Sequence, residues 1–303
     1  MAIIEITNLR KLYGDHVAVD DVSFAVEEGE VFGVVGRNGA GKTTTVECLS
    51  GLRAADGGTI AVTGLDPRRD RDELRRRVGV QLQDCSLPDK LRVHEALRLY
   101  ASFYDRPARW EDLLEEVGLG PKRDTAFAKL SGGQRQRLSI ALALVGDPRV
   151  AILDELTTGL DPHARRETWE LIEAVKARGV TIVLVTHFME EAERLCDRIA
   201  VIHRGRVAAV DTPAGLIGRV DGTLRVTFRC PPGSEGALRS VPEITRVVRD
   251  GDEVRVTGGE DVLLALTTAL SAHRIVPTGL RVERATLDDA FLAITGHAAT
   301  DEA

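Results

Sequence analysis

Gly36-Arg37-Asn38-Gly39-Ala40-Gly41-Lys42-Thr43 follows a short apolar run, Val31 to Val35, and leads into a stretch of helical character. The string fits G-x-x-x-x-G-K-[ST]. Glycines at these places let successive backbone N–H groups turn inward, and a helix starting at the same point adds its positive dipole end. Such a cradle suits the phosphates of a nucleotide. Lys42 is placed to reach β- and γ-phosphates, and the Thr43 hydroxyl to ligate Mg²⁺. Arg37, Asn38, Ala40 and Thr44 complete the loop and the first helical turn.

A second group with chemistry closes the run Val150-Ala151-Ile152-Leu153, namely Asp154 and Glu155. A carboxylate at the C-terminal end of a buried strand lies beside the phosphate loop in an open α/β sheet. Asp154 is placed to hold Mg²⁺, directly or through water. Glu155 is placed to orient or deprotonate an attacking water. That division suits phosphoryl transfer, where positioning and charge stabilisation carry most of the reaction.

Leu130-Ser131-Gly132-Gly133-Gln134-Arg135-Gln136-Arg137 is a Ser/Gly turn feeding a helix, a second nest of N–H groups. Two anion-binding turns with one phosphate loop suggest that the second turn serves the nucleotide of a neighbouring molecule.

At this point the sequence resembles the nucleotide-binding subunits of ABC transporters. Leu130 to Gln134 matches their signature motif, and the resemblance spans residues 3–220. It implies further roles. Tyr13 matches the aromatic residue that stacks on adenine. Gln83, with Gln81 a competing choice, matches the glutamine that senses Mg²⁺ and the γ-phosphate. Asp161, in Gly159-Leu160-Asp161-Pro162, matches the loop that crosses the dimer interface, and His187 matches the switch histidine at the γ-phosphate. The resemblance implies an ATPase using ATP and Mg²⁺. It also implies a head-to-tail homodimer in which Ser131, Gly132, Gly133, Gln134 and Asp161 of one copy cap the ATP held by Lys42 of the other. A separately encoded transmembrane permease subunit is the expected partner, contacted by Asp84 to Leu91. Two departures stand out. Leu156 follows Glu155 where the family usually has proline, and Arg37 replaces a frequent proline. The tail from Glu283 to Gly296 and the stretch Met189 to Ile199 resemble the daunorubicin-resistance type of exporter ATPase. This places the chain at the cytoplasmic face of the membrane through its partner, with a drug, antibiotic or lipid-like cargo. A soluble ATPase acting on ribosomes or DNA, or an importer subunit, is the alternative.

These residues need an α/β frame. Val31 to Val35, Val150 to Leu153 and Thr181 to Val185 are short apolar runs separated by helical stretches, the pattern of buried parallel strands. The fold expected is a P-loop NTPase of ABC type, with a mostly parallel core sheet, antiparallel N-terminal strands and a helical insertion at about 84–145. After residue 220 the pattern changes, and residues 221–303 are expected to form a small accessory α+β domain.

Bulk composition is compatible with this reading. With 303 residues, 43% hydrophobic and 29% charged, the chain can bury a sizeable core. A formal net charge of −7 argues against nucleic acid as a main partner. Arg68, Arg69, Arg71 and Arg75 to Arg77 form a basic cluster, but Asp70, Asp72 and Glu73 interrupt it as on a solvated helix face. Cys48, Cys85, Cys196 and Cys230 are scattered without metal-ligand spacing, which argues against a disulfide framework or a zinc site. The N-terminus lacks the pattern of a signal peptide. No apolar run approaches the roughly 20 residues of a membrane span.

Overall fold

A computed structural model describes residues 1–82, 86–220, 224–231, 233 and 235–296. Its contacts divide the chain into two units, Met1–Thr212 and Pro213–Ala303.

The first unit is built on a nine-stranded mixed sheet. In chain order its strands are β1 (Ala2–Tyr13), β2 (His16–Glu27), β3 (Val31–Val35), β4 (Gly57–Val62), β5 (Val78–Gln81), β6 (Val150–Asp154), β7 (Thr181–Thr186), β8 (Arg198–His203) and β9 (Arg206–Asp211). Their order across the sheet is β4-β1-β2-β9-β8-β3-β7-β6-β5. β1 pairs antiparallel with β2 and β4, while β8, β3, β7, β6 and β5 run parallel. The apolar runs read from sequence are the middle of this parallel part. Every residue of β3, β6 and β7 is buried, because helices cover both faces.

The helices of this unit are α1 (Lys42–Leu49), α2 (Arg71–Arg77), α3 (Val93–Ala101), α4 (Trp110–Glu116), α5 (Gly132–Leu144), α6 (Pro162–Ala177) and α7 (Met189–Leu195). Between β5 and β6 the described chain carries no strand. α3, α4 and α5 pack against one another there. α3 buries Val93, Ala96, Leu97 and Ala101 on one stripe, as an amphipathic helix should.

Register aligns the ends that matter. Val35 pairs with Thr186, and Asp154 with Val185. The segments after β3, β6 and β7 therefore leave the sheet at one edge. These segments hold the glycine-rich loop, Glu155 and His187.

The second unit contains α8 (Pro213–Ile217), β10 (Leu224–Arg229), α9 (Glu235–Arg239), β11 (Ile244–Asp250), β12 (Glu253–Gly258), α10 (Val262–Ala272), β13 (Thr278–Arg284) and α11 (Leu287–Thr295). Its four strands form an antiparallel sheet, β11-β12-β10-β13. Val226, Phe228, Val254 and Val256 of the sheet meet Leu238, Leu266 and Leu270 of α9 and α10 in a separate apolar core. α8 packs against α11, so the unit begins before its first strand.

Candidate functional site

The loop from Gly36 to Thr43 wraps the start of α1. Gly41 is the helix N-cap at φ 102°. A Cβ at this position would lie 2.6 Å from the Ala18 carbonyl oxygen, so both conformation and space demand glycine. Arg37, Asn38 and Gly39 are exposed at the loop's crest, whereas Gly36, Ala40 and Gly41 are buried beneath it. Lys42 is only 5% exposed. Its Nζ donates to the carbonyls of Gly36 at 2.8 Å and Arg37 at 3.2 Å, which folds the ammonium back over the loop. Burial pushes its pKa below the ordinary lysine value, against the opposing pull of Glu155 and then Asp154.

Asp154 ends β6 and is 1% exposed. Its backbone N–H donates to Gln81 Oε1 at 3.1 Å, so Gln81 is committed to holding the strand end. Gln83 lies outside the described residues. Burial lifts the Asp154 carboxyl to about 6, the nearby Thr43 hydroxyl opposes this, and Glu155 adds to the rise. Among the described residues neither carboxylate oxygen has a hydrogen bond of good geometry. A buried carboxylate whose one nearby donor is a poorly aligned threonine hydroxyl is, with that hydroxyl, a hard-oxygen set that fits Mg²⁺. No group of three or more His, Cys, Asp or Glu side chains among the described residues could hold a metal by itself.

Glu155 adopts φ 51°, a left-handed conformation that is uncommon outside glycine and asparagine. Its N–H donates to Val185 O at 2.9 Å, which anchors the turn to β7. The carboxylate reaches back toward the loop. His187 Nδ1 lies 3.2 Å from its Oε1, and the Thr158 hydroxyl donates to Oε2 at 3.4 Å. The next residue, Leu156, is 1% exposed. Where proline would fix the backbone, this chain fastens the turn by burying an apolar side chain.

Tyr13, Asn38, Gly39, Gly41, Lys42, Thr43, Thr44 and Glu155 line one cleft of about 470 Å³. The structure thus brings together the aromatic residue, the loop and the carboxylate expected from sequence. Sequence reasoning missed His16, Glu47 and Arg53 on the same wall. Arg53 pairs with Glu47 at 2.6 Å and stacks 5.1 Å from the Tyr13 ring centroid. That contact holds the ring at the cleft mouth.

Ser131 to Gln134 form the start of α5, outside this cleft. Ser131 is the N-cap: its Oγ accepts from Gln134 N at 3.3 Å, and its N–H donates to Gln134 Oε1 at 3.0 Å. This reciprocal pair exposes Ser131 and Gly132 at a fixed helix N-terminus. A Cβ on Gly133 would lie 2.9 Å from Ala164 Cβ, so its lack of a side chain lets α5 and α6 approach. Asp161 caps α6 through the N–H groups of His163 at 2.9 Å and Ala164 at 3.0 Å. Those bonds, Ala164's first, hold its pKa below the usual carboxylate range.

Behind Glu155 and His187 lies a carboxylate that the sequence reading passed over. Glu191, on α7, is fully buried. Trp169 Nε1 donates to its Oε1 at 3.2 Å, and the Thr186 and Thr157 hydroxyls flank it. Thr157 follows the Glu155 turn and Thr186 precedes His187. Burial raises the Glu191 pKa, opposed by Thr186, Thr157 and Trp169 in that order.

A parallel α/β sheet with a phosphate loop after β3 and adjoining carboxylates after β6 defines a P-loop nucleotide-hydrolysing protein. The family model described as ABC transporter matches residues 19–158. The chain is 39% identical over 309 residues to the Nod factor export ATP-binding protein I of Ralstonia nicotianae, covering 99% of this chain and 95% of that protein. It is 38% identical over 314 residues to the daunorubicin resistance ATP-binding protein DrrA2 of Streptomyces coeruleorubidus, covering 95% and 94%. Among solved structures, an ATP-binding subunit of an ABC transporter superposes with a TM-score of 0.65 at 32% identity, covering 72% of this chain and 92% of that one. A dimeric ATP-binding cassette in a post-hydrolysis state, bound to ADP and Pi, gives 0.62 at 25% identity, covering 69% and 98%. The chain belongs to the ABC transporter family as an ATP-binding, ATP-hydrolysing subunit, and it resembles the drug-resistance exporter type.

Proposed function

We propose that this chain drives export by ATP-dependent closure of a head-to-tail homodimer attached to a separately encoded membrane subunit. The contact of His187 with Glu155, a residue of the Lys42 cleft wall, is the observation that carries this reading. It puts a carboxylate and an imidazole together where the terminal phosphate of a loop-bound ATP arrives. Lys42, Thr43 and the loop amides bind the phosphates, Tyr13 packs on the base, and Glu155 orients the attacking water. His187 holds Glu155 through the hydrogen bond and contacts the γ-phosphate. Asp154 and Thr43, with Gln83, would hold Mg²⁺, which when bound neutralises charge on the transferring phosphate. The exposed, rigidly capped turn at Ser131 and Gly132 suits capping of a partner's ATP, and Asp161 lies on the loop that would cross between copies. A dimeric cassette among the structural neighbours supports this arrangement.

No helix among the described residues is long and apolar enough to cross a membrane, so a transport role calls for a membrane partner. A groove of about 620 Å³ suits that partner, with Val78, Val80, Phe103 and Tyr104 beside Arg75 and Arg76. Phe103 is 68% exposed there. A short amphipathic segment with an acidic end fits this mixture of aromatic and guanidinium groups. This would hold the chain at the cytoplasmic face of the membrane. The relatives' names, Nod factor export and daunorubicin resistance, support export of a drug, antibiotic or lipid-like cargo.

Glu155→Gln tests the reading. The variant is expected to keep ATP affinity, lose about 10²-fold or more in turnover, and accumulate as an ATP-bound dimer on sizing columns. Wild-type turnover in the purified variant would remove Glu155 from the chemistry.

A further inference from the structure

β13 forms one edge of the small sheet, hydrogen-bonded to β10 alone. All of its residues are exposed. Leu280 and Val282 leave 39% and 43% of their surface in solvent. Such an edge offers a row of backbone N–H and C=O groups to another strand. The opposite edge, β11, differs in that α9 packs on it.

The side chains of β13 decide which strand it fits. They read Thr-Gly-Leu-Arg-Val-Glu-Arg. An identical strand laid antiparallel about a two-fold axis at Val282 sets Arg281 opposite the partner's Glu283, and Glu283 opposite the partner's Arg281. Residues directly opposed in an antiparallel pair share a face. Two Arg–Glu pairs then form on one face. On the other, Val282 meets its own copy and Leu280 meets the stem of the partner's Arg284. Shifting the axis halfway toward Glu283 opposes Arg281 with the partner's Arg284, and parallel in-register pairing sets like charge on like. Of the antiparallel registers that overlap four or more residues of the strand, only the Val282 axis sets arginine opposite glutamate. Nearby charges of β10 are committed elsewhere, Arg225 to Asp289 at 3.1 Å and Arg229 to Glu253 at 3.6 Å.

We infer that β13 is a self-association edge, through which two copies of this chain pair antiparallel about Val282 and join their small sheets without nucleotide. The contact uses neither Lys42 nor Ser131, so it stands apart from ATP-driven closure, and either can hold without the other. Pairing of one short strand buries little area, so the dimer is weak alone. Its effect is to keep two nucleotide-binding units at high local concentration while their ATP sites are open.

The test is sedimentation of the full, nucleotide-free chain over a concentration series. A concentration-dependent dimer is expected. Arg281→Glu and Glu283→Arg should each weaken it at least about tenfold, by setting like charges opposite each other. The double variant Arg281→Glu/Glu283→Arg should restore it. Separately, Val282→Cys should cross-link between chains on mild oxidation, and Leu280→Cys should not. A monomer at every concentration, single variants that dimerise as well as wild type, or a double variant that folds without recovering the dimer would each overturn the proposal. Dimerisation of Glu155→Gln with ATP, measured alongside, should persist in every charge variant. Its loss would count against head-to-tail closure rather than against the β13 edge.

Discussion

At the scale of single residues the site is a set of groups held where water would otherwise satisfy them. Lys42 is buried on two carbonyls of its own loop and Asp154 is buried without a well-formed donor. Each is costly in isolation, and each is relieved by the opposite charge that phosphate and a cation bring. Lys42→Ala should therefore weaken ATP binding or stop turnover while leaving the fold intact. Nucleotide titration and a thermal melt on the same sample check this together. Chelation of Mg²⁺ should stop hydrolysis, and Asp154→Asn should do the same at saturating metal. Much of this site was legible in the sequence, because its chemistry depends on contiguous strings: the glycine spacing, the acidic pair and the Ser-Gly-Gly turn. Arg53 and Glu47 were not, since their meeting at Tyr13 depends on how α1 lies against the N-terminal strands. No local pattern marks them.

The elements explain why distant strings meet. β3, β6 and β7 are recognisable because burial on both faces makes them continuous apolar runs. The strands that escaped sequence reading are those without that signature. β4 opens on Gly57-Gly58 and buries only Ile60 and Val62, so it resembles a turn. The β8–β9 hairpin turns at Arg204-Gly205, with φ of 50° and 74°, where asparagine or aspartate is the usual first residue. Glu191 is another case. Its i,i+4 spacing to Leu195 puts it on the buried side of α7, yet it sits in an acidic run that reads as solvated. Because burial raises its folded pKa above the unfolded value, the protonated form is the one the fold prefers. Stability from this group is fully present below the unfolded carboxylate range and falls as pH rises through the folded value. Glu191→Gln should thus raise the melting temperature at neutral pH and flatten its pH dependence. Glu191→Ala should lower it by leaving Trp169 Nε1 unpaired, at about 1–3 kcal/mol. Melting curves from mildly acidic to neutral pH separate the two. Gly133→Ala brings a methyl against Ala164 and should cost about 1–3 kcal/mol through displacement of α5 from α6. Chemical denaturation measures that cost.

At the scale of the whole molecule, the cleft at Lys42 and the turn at Ser131 are separate features of one chain. Head-to-tail pairing would join them across two chains. Membrane coupling belongs to this scale as well. Arg76→Glu in the Phe103 groove should reduce co-purification with the membrane subunit several-fold while basal ATPase activity stays near wild type. The central claim is that one copy's Lys42 works with another copy's Ser131. Mixing two inactive variants tests it most directly. Lys42→Ala lacks a working phosphate loop and Ser131→Arg lacks a working cap, so each alone should turn over little ATP. In a mixed dimer one site pairs an intact loop with an intact cap. Turnover should reappear on mixing and rise with the fraction of mixed dimer. A mixture as inactive as its components, with mixed dimers shown to form, would contradict it.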